Sequence, residues 1–209
     1  MISKNLILGE SLNIAAYHYP VSTLGPGKRF VLWVQGCPFN CKSCISPDYI
    51  PFDENTRISI EGLANYISEI DCIDGITLSG GEPFSQAKNL TKLIKMLKGL
   101  NPKLNFICFT GYSFGALKSK EQKELLNVLD LVITELFIEE LNSENGLRGS
   151  DNQNFIFLTD KLVSFKDEIE NGKKKTETFI FKKNIVQVGI MSKSERNFHN
   201  SFLQIIDSL

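Results

Sequence analysis

The sequence predicts an α/β protein, an incomplete parallel β/α barrel of about six strand-helix units, folded as a single domain over residues 1–209. Three observations carry this prediction. Short apolar, β-branched and aromatic runs alternate with amphipathic helical patterns in the order β, α, β, α, β, α, β, which requires parallel strands joined by right-handed crossovers. The 209 residues fall short of the roughly 250 that a complete eight-unit barrel needs. No repeat, low-complexity tract or linker composition divides the chain, and 42% hydrophobic with 22% charged residues is a composition that buries a core.

Each element has its own pattern. Arg29 to Gln35 (RFVLWVQ) reads as the first buried strand, Gly75 to Ser79 (GITLS) as the second and Asn105 to Thr110 (NFICFT) as the third. Ile60, Leu63, Ala64, Ile67 and Ile70 share one face of a helix that Ser59 is placed to cap. Leu90, Leu93, Ile94 and Leu97 repeat at i, i+3, i+4 and i+7 on the next helix, which Gly99 is expected to end. A third helix from about Lys118 to Leu129 turns Leu125, Leu126 and Leu129 inward before a fourth strand, Leu131 to Leu136. After Phe155 to Thr159 the pattern loses regularity. Within 154–209, Thr178 to Lys182 and Ile185 to Ile190 alternate as a late strand pair, and Phe198, Phe202, Ile205, Ile206 and Leu209 mark a closing amphipathic helix.

Charge excludes several functions. Lys plus Arg number 23 against 24 Asp plus Glu, so no uniform basic field draws the chain onto nucleic acid or anionic lipid. Its apolar runs are far below the roughly 20 residues that span a bilayer, and the N-terminal apolar stretch is too short for a secretory signal. The expected location is the cytoplasm, where glutathione keeps thiols reduced. Of the 5 cysteines, Cys72 and Cys108 stand alone and read as small buried residues; His18 and His199 read as surface or satisfied polar groups.

The other three carry the chemistry. Cys37, Cys41 and Cys44 form a C-x3-C-x2-C pattern in a loop directly after the first strand, where Pro38, Asn40 and Pro47 discourage helix. Soft thiolates bind zinc or an iron-sulfur cluster, and both usually take four ligands. This loop supplies three, and neither histidine sits at a customary zinc spacing from them. The shortage points to a [4Fe-4S] cube held at three irons, with the fourth open to a substrate or cofactor; zinc and redox thiols are the other readings.

Further turns follow the other strands. Gly80 and Gly81 allow a sharp bend and close approach to a ligand, Glu82 adds a carboxylate, and Pro83 starts a helix. Parallel strands place these turns and Thr110-Gly111 beside the cysteine loop, because ligand sites of α/β sheets form at the C-terminal strand ends.

The segments Gly25 to Cys44 (GPGKRFVLWVQGCPFNCKSC), Ser79 to Gln86 (SGGEPFSQ) and Phe109 to Tyr112 (FTGY) together resemble the radical S-adenosylmethionine enzymes. Within them the likeness is greatest to the activating enzymes of glycyl radical proteins, particularly activators of anaerobic ribonucleotide reductase, and Leu147 to Gln153 (LRGSDNQ) resembles another segment of that group. The match runs, with gaps, over 25–153. It implies that Cys37, Cys41 and Cys44 bind the cluster and that S-adenosylmethionine chelates the open iron through its amino and carboxylate groups. It also places Ser43, Gly80, Gly81, Glu82, Thr110 and Arg148 around that cofactor. Ser43 would meet the adenine mainly through its backbone, and Glu82 or a main-chain carbonyl would hold the amino group. Thr110 would border the ribose or a cation near the cofactor carboxylate. Arg148, with Asn152 and Gln153, would face that carboxylate or a partner's backbone. Each has a plainer reading as a tight turn or a self-anchored loop.

The resemblance further implies that a reduced cluster cleaves S-adenosylmethionine into methionine and a 5′-deoxyadenosyl radical, which removes hydrogen from a glycine Cα of a partner enzyme. No side-chain acid or base is required. The partner would be a glycyl radical enzyme such as anaerobic ribonucleotide reductase, and the electron donor a protein such as reduced flavodoxin. A chain this short leaves little for covering a small molecule, so an open face suits a glycine loop from another protein. Two departures stand out: Leu24 replaces the aspartate usual before Gly25-Pro26-Gly27, and Thr134-Glu135 replaces an Asp-Gly pair after the fourth strand. They leave room for a radical maturase acting on a peptide or small molecule. An iron-sulfur electron-transfer or zinc-stabilised binding module is the alternative of another class.

Overall fold

The computed structural model describes residues 10–181 and 184–197. Its main sheet has seven strands: β1 (Ser11–Val21), β2 (Arg29–Val34), β3 (Thr56–Ser59), β4 (Gly75–Gly80), β5 (Asn105–Phe109), β6 (Leu131–Thr134) and β7 (Asn154–Phe157), in the order β3-β1-β2-β4-β5-β6-β7. The central four, β2, β4, β5 and β6, are parallel, as the alternation predicts. The flanks are not. β1 runs antiparallel to β2 and to β3, and β7 runs antiparallel to β6.

The sheet is therefore open and mixed, in place of the expected parallel barrel of about six units. Connection chemistry explains the difference. The segment between β1 and β2 spans only 22–28, too short for the helical crossover that a parallel pair needs, and that between β6 and β7 holds only a single 3-10 turn, Glu139–Leu141. β1 escaped the sequence reading because irregularities at Ile14/Ala16 and His18/Val21 break its period of two, and Pro20 falls at the second. β3 is only four residues long and ends on the residue that caps the next helix.

Three helices cross between the strands: α1 (Ile60–Ser68), α2 (Ala87–Leu100) and α3 (Lys120–Leu126). Ser59 caps α1 by accepting from the Gly62 N–H at 2.9 Å, as its position predicts. α2 runs past Gly99 and stops at Asn101, because Pro102 forces the preceding residue out of the helical region, to φ −140° and ψ 94°. α3 is shorter than expected, started by a reciprocal bond pair between Ser119 and Gln122.

Alternate strand residues separate two faces. Phe30, Leu32, Phe106 and Val132 pack under α1–α3, whereas Val31, Ile107, Leu131 and Ile133 face the opposite side. That opposite side is covered by α4 (Lys166–Asn171) and by a separate hairpin of β8 (Thr176–Phe181) and β9 (Asn184–Gly189). The late strand pair of the sequence reading is this hairpin. The predicted closing helix over 198–209, with His199, lies outside the described residues.

The buried Arg29 organises the end of the sheet away from the cysteines. Its guanidinium donates to Thr77 Oγ1 at 2.6 Å, the Pro26 carbonyl at 3.0 Å and Asn105 Oδ1 at 2.7 Å, pinning the Gly25-Pro26-Gly27 turn.

Candidate functional site

The loops after the four parallel strands are joined laterally. Gly81 N–H donates to the Val34 carbonyl and Glu82 N–H to the Gly36 carbonyl, both at 2.8 Å, which ties the turn after β4 to the loop after β2. Gly81 must be glycine here: a Cβ would lie 2.3 Å from the Gly36 carbonyl oxygen and 2.8 Å from that of Tyr49. The next link is Glu82. Its carboxylate is 1% exposed and accepts from Phe84 N–H at 2.9 Å, Thr110 Oγ1 at 2.8 Å and Gly111 N–H at 2.8 Å. Burial outweighs those bonds and pushes its carboxyl up to about 7. From there Glu135 N–H reaches the Tyr112 carbonyl at 3.1 Å, and Gln153 Nε2 donates to the Glu135 carbonyl at 2.8 Å.

Cys37, Cys41 and Cys44 lie in the first of these loops as free, partly exposed thiols. Main-chain bonds from Gly36 N–H to Tyr49 and from Cys37 N–H to Ile50, both 2.9 Å, fold the loop back on itself. Burial pushes the Cys37 thiol up to about 11 against a backbone bond at Phe39, and raises Cys41 against a backbone bond at Phe137. Among the described residues no three Cys, His, Asp or Glu side chains gather as around one metal ion. The loop instead presents three soft sulfur donors, two of which, Cys41 and Cys44, border open space, a donor set that suits a cluster with one uncommitted iron.

That space is a cavity of about 720 Å³ on the sheet face opposite α1–α3. Cys41, Cys44 and Gly80 line it, with Trp33, Phe109 and Phe137 as apolar walls and Gln153, Asn142 and Arg196 as polar ones. Residues 186–191 of β9 and its extension form a further side. Val188 packs against Val21, Leu24 and Val31, so Leu24, the departure before Gly25, holds the hairpin in place. His18 also lines the cavity, with its ring 4.0 Å from that of Phe179, and burial holds its imidazole below the usual range.

The predicted site residues divide into two groups. Cys41, Cys44 and Gly80 reach the cavity wall; Cys37, Ser43, Gly81, Glu82, Thr110 and Arg148 are not among its lining residues. Thr110 is 4% exposed and bonded to Glu82. Arg148 donates to the Gln153 carbonyl at 3.2 Å, pairs with Asp151 at 3.1 Å and lies 5.4 Å from the Phe155 ring centroid. Ser43 adopts a positive φ of 65°. Glu135 also has a positive φ, 86°, so it occupies a backbone position that favours the glycine usual in the Asp-Gly pair. The preceding Thr134 is 0% exposed.

Sequence reasoning missed Phe137, Asn142, Arg196 and the hairpin as parts of the site. The hairpin's alternation was visible, but nothing local placed it over the cysteine loop.

An open α/β sheet with three thiols in one loop, two of them on a cavity wall, is the frame of a protein that holds a thiolate-bound metal group and a ligand. Comparison agrees. Residues 23–156 match the family described as "4Fe-4S single cluster domain". The anaerobic ribonucleoside-triphosphate reductase-activating protein of Enterobacteria phage T4 is 31% identical over 141 residues, covering 65% of this chain and 88% of that protein. The protein of the same name from Vibrio cholerae is 31% identical over 149 residues, covering 66% and 94%. A pyruvate formate-lyase-activating enzyme of Staphylococcus aureus is 29% identical over 155 residues, covering 69% of this chain and 61% of the enzyme. The chain belongs to the 4Fe-4S single cluster domain family and to the glycyl radical activating enzymes, which use a [4Fe-4S] cluster and S-adenosylmethionine.

Proposed function

We propose that this chain cleaves S-adenosylmethionine reductively and sets a glycyl radical on a partner enzyme, with an anaerobic ribonucleotide reductase as the first candidate. The observation that carries the reading is the three-thiol loop joined laterally to the other strand ends beside the 720 Å³ cavity. Two relatives named for activating that reductase support the choice of partner. A reduced cluster with S-adenosylmethionine bound supplies a carbon radical able to remove hydrogen from a glycine Cα.

The chain's own residues prepare the place. Cys37, Cys41 and Cys44 release their protons and ligate iron. Trp33, Phe109 and Phe137 keep the cavity wall apolar and exclude water from the reacting atoms. Gly80 brings main chain to the cavity wall and Gly81 lets the turn press against the Gly36 and Tyr49 carbonyls, while Glu82 and Thr110 act as positioning residues that hold the turns together. Ser43 offers its backbone next to Cys44, and Arg148 anchors the Gln153 segment through its main-chain bond. A cytoplasmic one-electron donor such as flavodoxin completes the system.

Anaerobically reconstituted and reduced protein should form 5′-deoxyadenosine from S-adenosylmethionine, and Cys41→Ala should abolish it. With a glycyl radical partner present, electron paramagnetic resonance should show the doublet of a glycyl radical. Product formation with no radical on any such partner would contradict the proposed substrate and favour a peptide or small-molecule maturase.

A further inference from the structure

Arg196 lies well beyond residue 156, where the family match ends, yet its side chain reaches back to the cysteine loop. Its Nη2 donates to the Ser43 carbonyl, its Nε is 2.9 Å from Glu139 Oε1, and its guanidinium lies 5.0 Å from the Phe137 ring centroid. A planar fork held on an edge, at a tip and across its face has little freedom left. Its mounting is equally fixed. Ser192 N–H donates to Glu195 at 2.9 Å, Arg196 N–H to the Ser192 carbonyl at 3.0 Å, and Asn142 Nδ2 to the Met191 carbonyl at 3.3 Å.

The atom it grips matters. Ser43 directly precedes Cys44 and has a φ of 65°, a backbone state that residues with a Cβ rarely hold without support. The Ser43 hydroxyl holds the carboxyl of Glu139, which pairs with Arg196, below its usual range. Phe137, under the guanidinium, lines the same cavity as Cys41 and Cys44. One short segment, 137–139, thus holds Arg196 through Phe137 and Glu139, and Arg196 in turn holds the peptide before Cys44.

We infer that Arg196 is a positioning residue for the cluster, a strap from the C-terminal part of the chain that locks the Ser43 peptide and so fixes Cys44 relative to Cys41. The inference rests on the reading of Cys37, Cys41 and Cys44 as iron ligands. Groups behind metal ligands typically change metal affinity by about 10- to 100-fold when removed.

The test compares anaerobically reconstituted parent, Arg196→Ala and Arg196→Lys. The readouts are iron release to a ferrous chelator, the electron paramagnetic resonance spectrum of the reduced cluster, and the melting temperature of each apoprotein. Arg196→Ala should release iron about tenfold faster or more, with a broadened or shifted cluster spectrum and an apoprotein melting temperature close to the parent's. Arg196→Lys, which keeps the charge but not the planar fork, should fall between. Equal release rates in Arg196→Ala and parent would overturn the strap. So would rapid release accompanied by a collapse of apoprotein melting, because the residue would then serve the fold and not the loop. A parent that takes up zinc instead of about four iron per chain would refute the ligand assignment itself, a result separate from either of these.

Discussion

Glu82 shows how a residue type can be legible while its contacts are not. The Gly-Gly-Glu-Pro turn signals a carboxylate at a strand end, but only the fold shows that both oxygens are used by Phe84, Thr110 and Gly111. Its folded-state pKa, about 7, stands above the ordinary 4.5, so the folded chain binds the proton more tightly than the unfolded chain does. Glu82 therefore favours the fold most below about 4.5, and that contribution declines as pH rises towards 7. The melting-temperature difference between parent and Glu82→Gln should move against the parent across that window and level off above it. A difference independent of pH would show that the carboxyl titrates normally. Glu135 is the second instructive residue. At φ 86° a Cβ is unfavourable, so Glu135→Gly should stabilise the apoprotein by about 0.5–1 kcal/mol in denaturant unfolding, the relief of backbone strain exceeding glycine's extra chain entropy. The two main-chain bonds at this position, to Tyr112 and from Gln153, are unaffected by that change.

At the scale of elements, the decisive contact is between the turn after β4 and the loop after β2. Gly81→Ala would press a methyl against the carbonyls of Gly36 and Tyr49, and neither is the end of a flexible side chain. We expect a loss of about 1–3 kcal/mol and impaired uptake of iron, because Gly36 directly precedes Cys37. Uptake and stability equal to the parent's would mean that the two loops are not coupled. Periodicity made the parallel strands and their helices readable, since β2, β4, β5 and β6 are short, apolar and separated by clean 3.6-residue patterns. β1 was not readable for the opposite reason: its pairing irregularities, internal proline and polar residues such as Asn13 and His18 hide its alternation. The missing crossover helices at both flanks are what turn an expected barrel into an open sheet.

The molecule as a whole closes its cavity with chain from both sides of the family segment. β1 contributes Ala16, Tyr17 and His18, and the C-terminal hairpin and its extension contribute Val188, Ile190 and Arg196. Those long-range contacts leave no local mark in sequence, whereas a cysteine triplet does, because metal ligation imposes its own spacing. Leu24 illustrates the boundary between the two. As a lost aspartate it suggested an altered pocket; in the fold it is an apolar seat for Val188. The central claim is that three cysteines leave one iron free for S-adenosylmethionine, and the most direct measurement is electron paramagnetic resonance of the reduced holoprotein before and after that compound is added. A changed cluster spectrum, followed by 5′-deoxyadenosine, is the predicted result. A spectrum unaltered at saturating S-adenosylmethionine would contradict it.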